Sequence, residues 1–323
     1  MSQFKHKQQG VALIIVLLIV AIVSVLATEM GGRLQLQIKR ASNIKENNQA
    51  YWYAMGAEQY ARKSIERLMD EDGEVIHLEQ PWNQEFVYPI EGGGIQAQLV
   101  DMQSCFNLNA LKESDATKLI ERKKAFEWLL QQVEPEIPSY NRDLVRDALL
   151  DWLDEDDSLQ DFGAEDSEYE SRQFPYITAN NYMVHKSELR LINGVEVSWL
   201  RELLKLVCVL PNDSLFEINV NTVSEENAAV LAAATGLTLA DAKSILASRD
   251  PEGFQDVNAF LNLPSIQALD LNADQKTWFN VKTFHFILHT KTKYNDATFA
   301  MQTLFKVDSS NNVSIIRRDF SGF

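Results

Sequence analysis

Residues 147–170, DALLDWLDEDDSLQDFGAEDSEYE, hold eleven carboxylates and not one Lys or Arg. Like charges at that density raise one another's pKa and repel unless something neutralises them. Two readings are open. The segment can be a solvated acidic loop, or it can gather oxygens around a hard cation such as calcium, which takes about six to eight oxygen ligands. Trp152, Leu153, Phe162 and Tyr169 are interleaved with the acids, which favours a packed segment. Gly163 permits a tight turn that points several oxygens at one centre. The spacing is not that of an EF-hand, because Leu159 stands sixth from Asp154, where that loop needs glycine. Nor does it suit zinc, since no Cys is near and the nearest His is His185.

Nothing else in the chain selects a catalytic group. Paired carboxylates serve glycoside or metal-assisted hydrolysis only at set separations, and nothing singles out one pair among eleven. GxSxG, HExxH, CxxC and P-loop patterns do not occur, so no enzyme is expected. The five His are scattered: His6, His77, His185, His285 and His289. His285 and His289 stand four apart in a strand-like run and share one face. An exposed sheet surface is the ordinary account of that pair, with a two-His metal ligand as the alternative. A net charge of −16 speaks against nucleic acid, whose phosphates are held by Lys and Arg that displace counterions. Cys105 and Cys208 are the two cysteines. They can bond if the body is exported and remain buried thiols if it is cytosolic.

The elements that position these groups follow from hydropathy. The chain has 323 residues, 46% of them hydrophobic, enough for one large or two to three modest domains. Val11 to Thr28 is an uninterrupted uncharged run, at the short end for a membrane span, which needs about 20 residues across ~30 Å. Lys5 and Lys7 keep the leader on the cytoplasmic side and send the acidic body outward. A retained anchor and a signal cleaved after the run are both open, although SVLATEMGG offers no clean small-x-small site. The stretch beyond is proline-free. Leu34, Ile38, Tyr53, Ala57, Tyr60, Ala61, Ile65 and Leu68 recur at three- and four-residue steps, which predicts one helix from about Val11 to Asp70. FVYPI and IQAQLVDM flank a glycine turn and read as strands, as do TFHFILHTKTKY, TFAMQTLFKVD and VSIIRRDF near the C-terminus. Between them the patterns are helical. A weak repeat runs through this block: FNLNAL at 106–111 and INVNTV at 218–223 echo each other, and LVCVLP and NVKTFHFIL close corresponding helical stretches. ATGLTLADAKSILASRDPEGF resembles a helix-hairpin-helix, but its turn lacks the second glycine. Asp250 and Glu252 would repel a phosphate, so a structural use is expected.

KHKQQGVALIIVLLIVAIVSVLATEM resembles the class III signal of type IV pilins and type II secretion pseudopilins. In those families a prepilin peptidase cuts after the glycine and methylates the new N-terminus, which here implies Gly10 and Val11. The usual Glu at the fifth mature position is replaced by Ile15. That departure, with the large body, resembles the general secretion pathway protein K family of minor pseudopilins. The resemblance implies an α+β fold: a pilin-like long N-terminal helix packed on an antiparallel sheet, with a large mostly helical domain inserted between strands. The expected divisions are a leader at 1–10 and a helix at 11–72, transmembrane over 11–28. A body follows at 73–109 and 281–323, with the insert at 110–280. The family associates a calcium pair with such an acidic loop, and the ligands this implies are Asp154, Asp156, Asp157, Asp161, Glu165 and Asp166, then Glu168. It further implies a body in the periplasm on a single inner-membrane span, and partners in minor pseudopilins I and J and other pseudopilins. With an exported body, and with each Cys bordering a strand-like run beside an NxN element, a disulfide between Cys105 and Cys208 is the favoured reading. The Glu of ordinary pilin-like subunits neutralises the N-terminal amine of the subunit ahead. A subunit with Ile15 has none ahead to satisfy, which places it at the tip of the pseudopilus. The alternative is a single-pass, membrane-anchored, calcium-dependent binding module.

Overall fold

The computed structural model describes residues 11–133 and 135–320. Helix α1 (Val11–Asp72) runs unbroken for 62 residues, about 93 Å at 1.5 Å per residue, and Gly31 and Gly32 lie within it. Burial begins at Ala50 and continues through Ala54, Ala57, Ala61, Ile65, Leu68 and Met69. Everything N-terminal to that line stands clear of the body. Leu34, Ile38 and Tyr60 therefore do not join the packing face expected of them; all three are exposed. Only the last turns of α1 reach the sheet, and Tyr60 instead stacks on Phe86 at its rim, with ring centroids 5.0 Å apart.

The strands are β1 (Phe86–Ile90), β2 (Gly93–Asp101), β3 (Phe106–Asn107), β4 (Val207–Cys208) and β5 (Ile218–Asn219). They continue with β6 (Phe279–Asn280), β7 (His285–Tyr294), β8 (Ala297–Val307) and β9 (Val313–Asp319). One sheet has the order β1-β2-β7-β8-β9, antiparallel throughout. Gly92, at φ 82, supplies the left-handed residue that closes the β1–β2 hairpin. Ala97, Leu99, Phe286, Leu288, Phe305, Val307 and Val313 face α1 and form a core with its buried residues. Glu58 of α1, fully buried, is met by Arg318 of β9 at 2.6 Å and by the Thr303 hydroxyl of β8. A charge buried in this way must be paired, and the pair sets where along the sheet the helix rests.

Residues between β2 and β7 form the helical block. Its helices are α2 (Ala116–Gln131), α3 (Ser139–Leu153), α4 (Asp166–Glu170), α5 (Val197–Leu206), α6 (Ala228–Thr235) and α7 (Leu239–Ser248). Three short ones follow: α8 (Val257–Leu261), α9 (Pro264–Gln267) and α10 (Ala273–Lys276). Asp115 caps α2 by accepting from the N–H groups of Thr117 and Lys118. Phe106 and Leu108 belong to the block's own core, so the block reaches back past the expected boundary at residue 110. The sheet face opposite α1 carries His285, Ile287, His289, Gln302, Leu304 and Lys306, which are cross-strand neighbours. Met102, Cys208, Leu210, Ile287 and Leu304 form a small core between that face and the block.

The weak sequence repeat is a structural one. β3 pairs in parallel with β4, and β5 pairs in parallel with β6, so each helical stretch returns beside the strand from which it departed. In both modules the second Asn of the NxN element grips a distant backbone segment from two sides. Asn109 donates to Met183 O and accepts from Met183 N, while Asn221 donates to Phe254 O and accepts from Phe254 N.

Candidate functional site

The acidic segment starts on α3, where Asp147 and Asp151 sit four residues apart among Val145, Ala148, Leu149 and Trp152, all buried. Beneath the loop lies an aromatic floor. Trp152 meets Tyr169 edge-on at 5.5 Å, Tyr169 stacks on Tyr176 at 5.1 Å, and the Arg172 guanidinium lies 4.7 Å over Tyr169. Three of the four interleaved apolar residues are buried, while Phe162 is 41% exposed and rests against Tyr140. Gly163 is needed for close approach rather than for an unusual φ. A Cβ there would lie 1.8 Å from Asp151 Oδ2.

The acids divide into three groups. Asp147 is neutralised by Arg146 at 2.8 Å and also accepts from Phe162 N. Asp156 accepts from Ser158 N, and Asp166 accepts from the N–H and hydroxyl of Thr178; both hydrogen-bond sets hold these carboxyls below the usual range. The third group is different. Asp154 Oδ1, Glu165 Oε1 and Asn180 Oδ1 are buried oxygens with no hydrogen-bond partner. Burial, then the Asp154 and Asp147 charges, push Asp151 up to about 6. Burial and the Asp156 charge push Asp154 up to about 6. Glu165, 5% exposed, is pushed up to about 7 by burial and by the fields of Asp151, Asp154 and Asp157.

Buried oxygens are nearly always paired, and three orphans amid mutually repelling carboxyls make a set of hard oxygen donors. Their chemistry, all hard oxygen, fits a hard cation and not a thiophilic one. Among the described residues, no three His, Cys, Asp or Glu side chains stand close enough to form a finished cage. The residues therefore fit a hard cation by their chemistry, without forming a closed cage. Of the residues singled out from sequence, Asp154, Asp157 and Glu165 lie in this group. Asp166 stands behind it through Thr178, whose hydroxyl Glu165 also accepts. Asp156, Asp161 and Glu168 are exposed, and Asp157 is exposed at the rim of the group. Sequence reasoning passed over Asp151 and Asn180. Asp151 could have been found from its i+4 spacing to Asp147 on a helix. Asn180 could not, since it lies outside the acidic run and meets it only through the fold, where its amide reaches Asp157 at 3.4 Å.

Cys105 and Cys208 are bonded, with Cα atoms 5.8 Å apart. The face shared by His285 and His289 is not the open surface expected. His285 is 1% exposed and His289 half-buried, because the block covers that side of the sheet. Val11 and Ile15 project freely from α1, and Gly10 lies outside the described residues. Among the described residues α1 is the single unbent helix long and apolar enough to cross a membrane, and its exposed N-terminal part is consistent with a single-pass anchor.

Comparison with known proteins converges on one family. Residues 104–212 and residues 218–282 each match a family described as Type II secretion system (T2SS), protein K, and these ranges coincide with the two modules defined by β3–β4 and β5–β6. The chain is 35% identical to the Type II secretion system protein K of Aeromonas hydrophila, over 97% of each chain. It is 34% identical to that of Klebsiella pneumoniae, over 93% of each. A solved chain from the GspK-GspI-GspJ complex of enterotoxigenic Escherichia coli superposes with a TM-score of 0.79 at 28% identity, covering 88% of this chain and all of that one. Sequence identity along nearly the whole length and superposition over most of it agree, and the chain belongs to the type II secretion system protein K family of minor pseudopilins.

Proposed function

We propose that this protein caps the tip of the type II secretion pseudopilus, in a ternary complex with minor pseudopilins I and J, and so starts or limits its growth. The observation that carries the reading is the agreement of its fold, over 88% of its length, with a chain solved in a GspK-GspI-GspJ complex. Two features of the chain support the topmost position. Ile15 offers no carboxylate to a neighbour's N-terminal amine, and the helical block adds bulk on one face of the sheet. In this reading the prepilin peptidase cuts after Gly10 and methylates Val11. The apolar part of α1 first rests in the inner membrane and later packs among other pseudopilin helices, with the body in the periplasm. Co-purification of the full chain with minor pseudopilins I and J tests the proposal: a stable ternary complex is expected, and its absence would overturn it. N-terminal sequencing of the membrane-purified protein should begin at Val11; a start at Met1 or near Met30 contradicts processing of this kind.

The acid loop is part of the same proposal. Calcium, as one ion or a pair, would be held by Asp151, Asp154, Asp157, Glu165 and Asn180, with Asp166 fixing Thr178 behind them. The orphaned oxygens support it. Bound there, the ion supplies positive charge that lets α3 and the 178–180 segment pack together. Calcium at a hundredfold excess over its Kd should add about 2.7 kcal/mol, roughly 5–10 °C in the thermal midpoint for a body of this size. Asp154→Asn and Glu165→Gln should remove most of that shift, while Asp156→Asn and Glu168→Gln leave it. If a chelator leaves the midpoint untouched, the site is not structural calcium.

A further inference from the structure

On the second face of the sheet, beside the Cys105–Cys208 bond, lies a cavity of about 130 Å³ at the seam with the first helical module. Its walls bring together Lys186, Lys205 and Arg317 with His185, His289 and Gln302. This concentration of basic groups is unusual in a chain of net charge −16. His289 and Gln302 are directly opposed on β7 and β8, and Arg317 lies next to them on β9. Lys186 and His185 enter from the start of a 3-10 turn (Lys186–Leu191) before α5, and Lys205 from the end of α5.

The carboxylates near the cluster each have partners of their own, and among the described residues none of them pairs with Lys186. Asp319 pairs with Arg317 at 2.8 Å and lies 3.9 Å from His185. Glu202 pairs with Lys205 at 2.6 Å. Glu188 is turned to the N–H groups of Val184 and His185. Asp101 lines the wall, but its carboxylate is taken by Thr222, Thr283 and Gln103. The cations consequently feel one another. Lys186 is held below its ordinary pKa by partial desolvation and by Arg317, and His289 below its own by burial and by Lys186. Lys186 spends one donor on Leu204 O at 2.9 Å, which leaves two of its three N–H directions for an incoming oxygen.

We propose that this seam cavity is a binding site for one small oxyanion, a carboxylate- or sulfate-sized group held by Lys186, Arg317 and His289. Size sets the class. At about 30 Å³ per water the cavity has room for roughly four, well under the ~300 Å³ and more of sites for larger ligands. Charge-assisted bonds from an ammonium and a guanidinium are the strong, directional kind that such a group attracts. Because the donors come from β7, β9 and the first module, a bound oxyanion bridges sheet and block. The site is independent of the capping proposal and of the acid loop.

The test is isothermal titration of the full chain in detergent with sodium sulfate and, separately, sodium acetate, at constant ionic strength maintained with chloride. Saturable one-to-one binding of either anion supports the site. Tighter acetate assigns it to carboxylates and tighter sulfate to tetrahedral oxyanions. Lys186→Gln should weaken binding at least tenfold, while Lys282→Gln, whose side chain pairs with Glu74 elsewhere, should leave it unchanged. If Lys186→Gln does not fold, Lys205→Gln at the exposed mouth should still weaken binding about threefold. Absence of saturation with both anions, or equal affinity in wild type and the Lys186 or Lys205 variant, overturns the proposal.

Discussion

Asp101 ends β2 with its carboxylate 3% exposed beneath the Thr222 and Thr283 hydroxyls, and burial pushes it up to about 6 against those hydrogen bonds. His285, on the adjoining strand, is driven down to about 4 by burial, with Asp213 opposing and Lys306 reinforcing the shift. Between pH ~4 and ~6 folded Asp101 keeps a proton that the unfolded chain has lost, so its contribution to stability falls as pH rises through that window. Between ~6.5 and ~4 unfolded His285 binds a proton that the folded state refuses, so its contribution falls as pH falls. The two slopes oppose each other across nearly the same range and mask each other in the wild type. With calcium saturating, Asp101→Asn should gain on wild type as pH rises from 4 to 6, by up to about 3 kcal/mol. His285→Gln should gain as pH falls over the same interval. Urea unfolding at a series of pH values checks both, and a pH-independent difference would show that neither group is perturbed. The sequence placed His285 on a face and showed nothing of its burial, because the cover comes from a module that enters between β2 and β7.

At the scale of elements, the two NxN motifs are the joints of the block. Asn109 ties Met183, 74 residues away, and Asn221 ties Phe254, 33 residues away. Asn107 bridges Asp213 O and Leu215 O while accepting from Leu210 N. Asn219 reaches Ile76 O and the Thr283 hydroxyl. Removing Asn109 strands buried groups of Met183 and Leu210, and removing Asn221 strands part-buried groups of Phe254, each worth about 1–3 kcal/mol when left unpaired. Asn109→Ala and Asn221→Ala should each cost roughly 2–4 kcal/mol in denaturant unfolding. The exposed helix cap Asp115→Ala should cost about 1 kcal/mol. Equal losses at all three positions would show that the Asn side chains are ordinary caps. The motif itself was legible as a short echo in the sequence. Its partners were not, since a two-sided clamp leaves no periodicity in the segment it grips.

Across the whole molecule, the Cys105–Cys208 bond closes a span of 103 residues and fastens the first module to the small core against the sheet. A loop of that length corresponds to about 4.7 kcal/mol in the chain-entropy account, with measured disulfides more often nearer 2–4. Cys105→Ser with Cys208→Ser should therefore lower the unfolding free energy by roughly 2–5 kcal/mol while the far-UV circular dichroism stays helical. A change under 1 kcal/mol would mean the core already makes the connection. The sequence by itself determined the long helix, because a proline-free run of helix formers behind an apolar stretch needs no distant contact to be a helix. It also determined the strands of the five-stranded sheet and the acidic character of one loop, which are local patterns of period and charge. Only the tertiary structure decided which of eleven carboxylates lose their hydrogen-bond partners, that Asn180 stands among them, that the two modules are one device used twice, and that basic side chains from β7, β9 and the first module share a cavity. Those outcomes depend on burial and on the fields of neighbours far away in the chain. Both are set by how the block lies on the sheet.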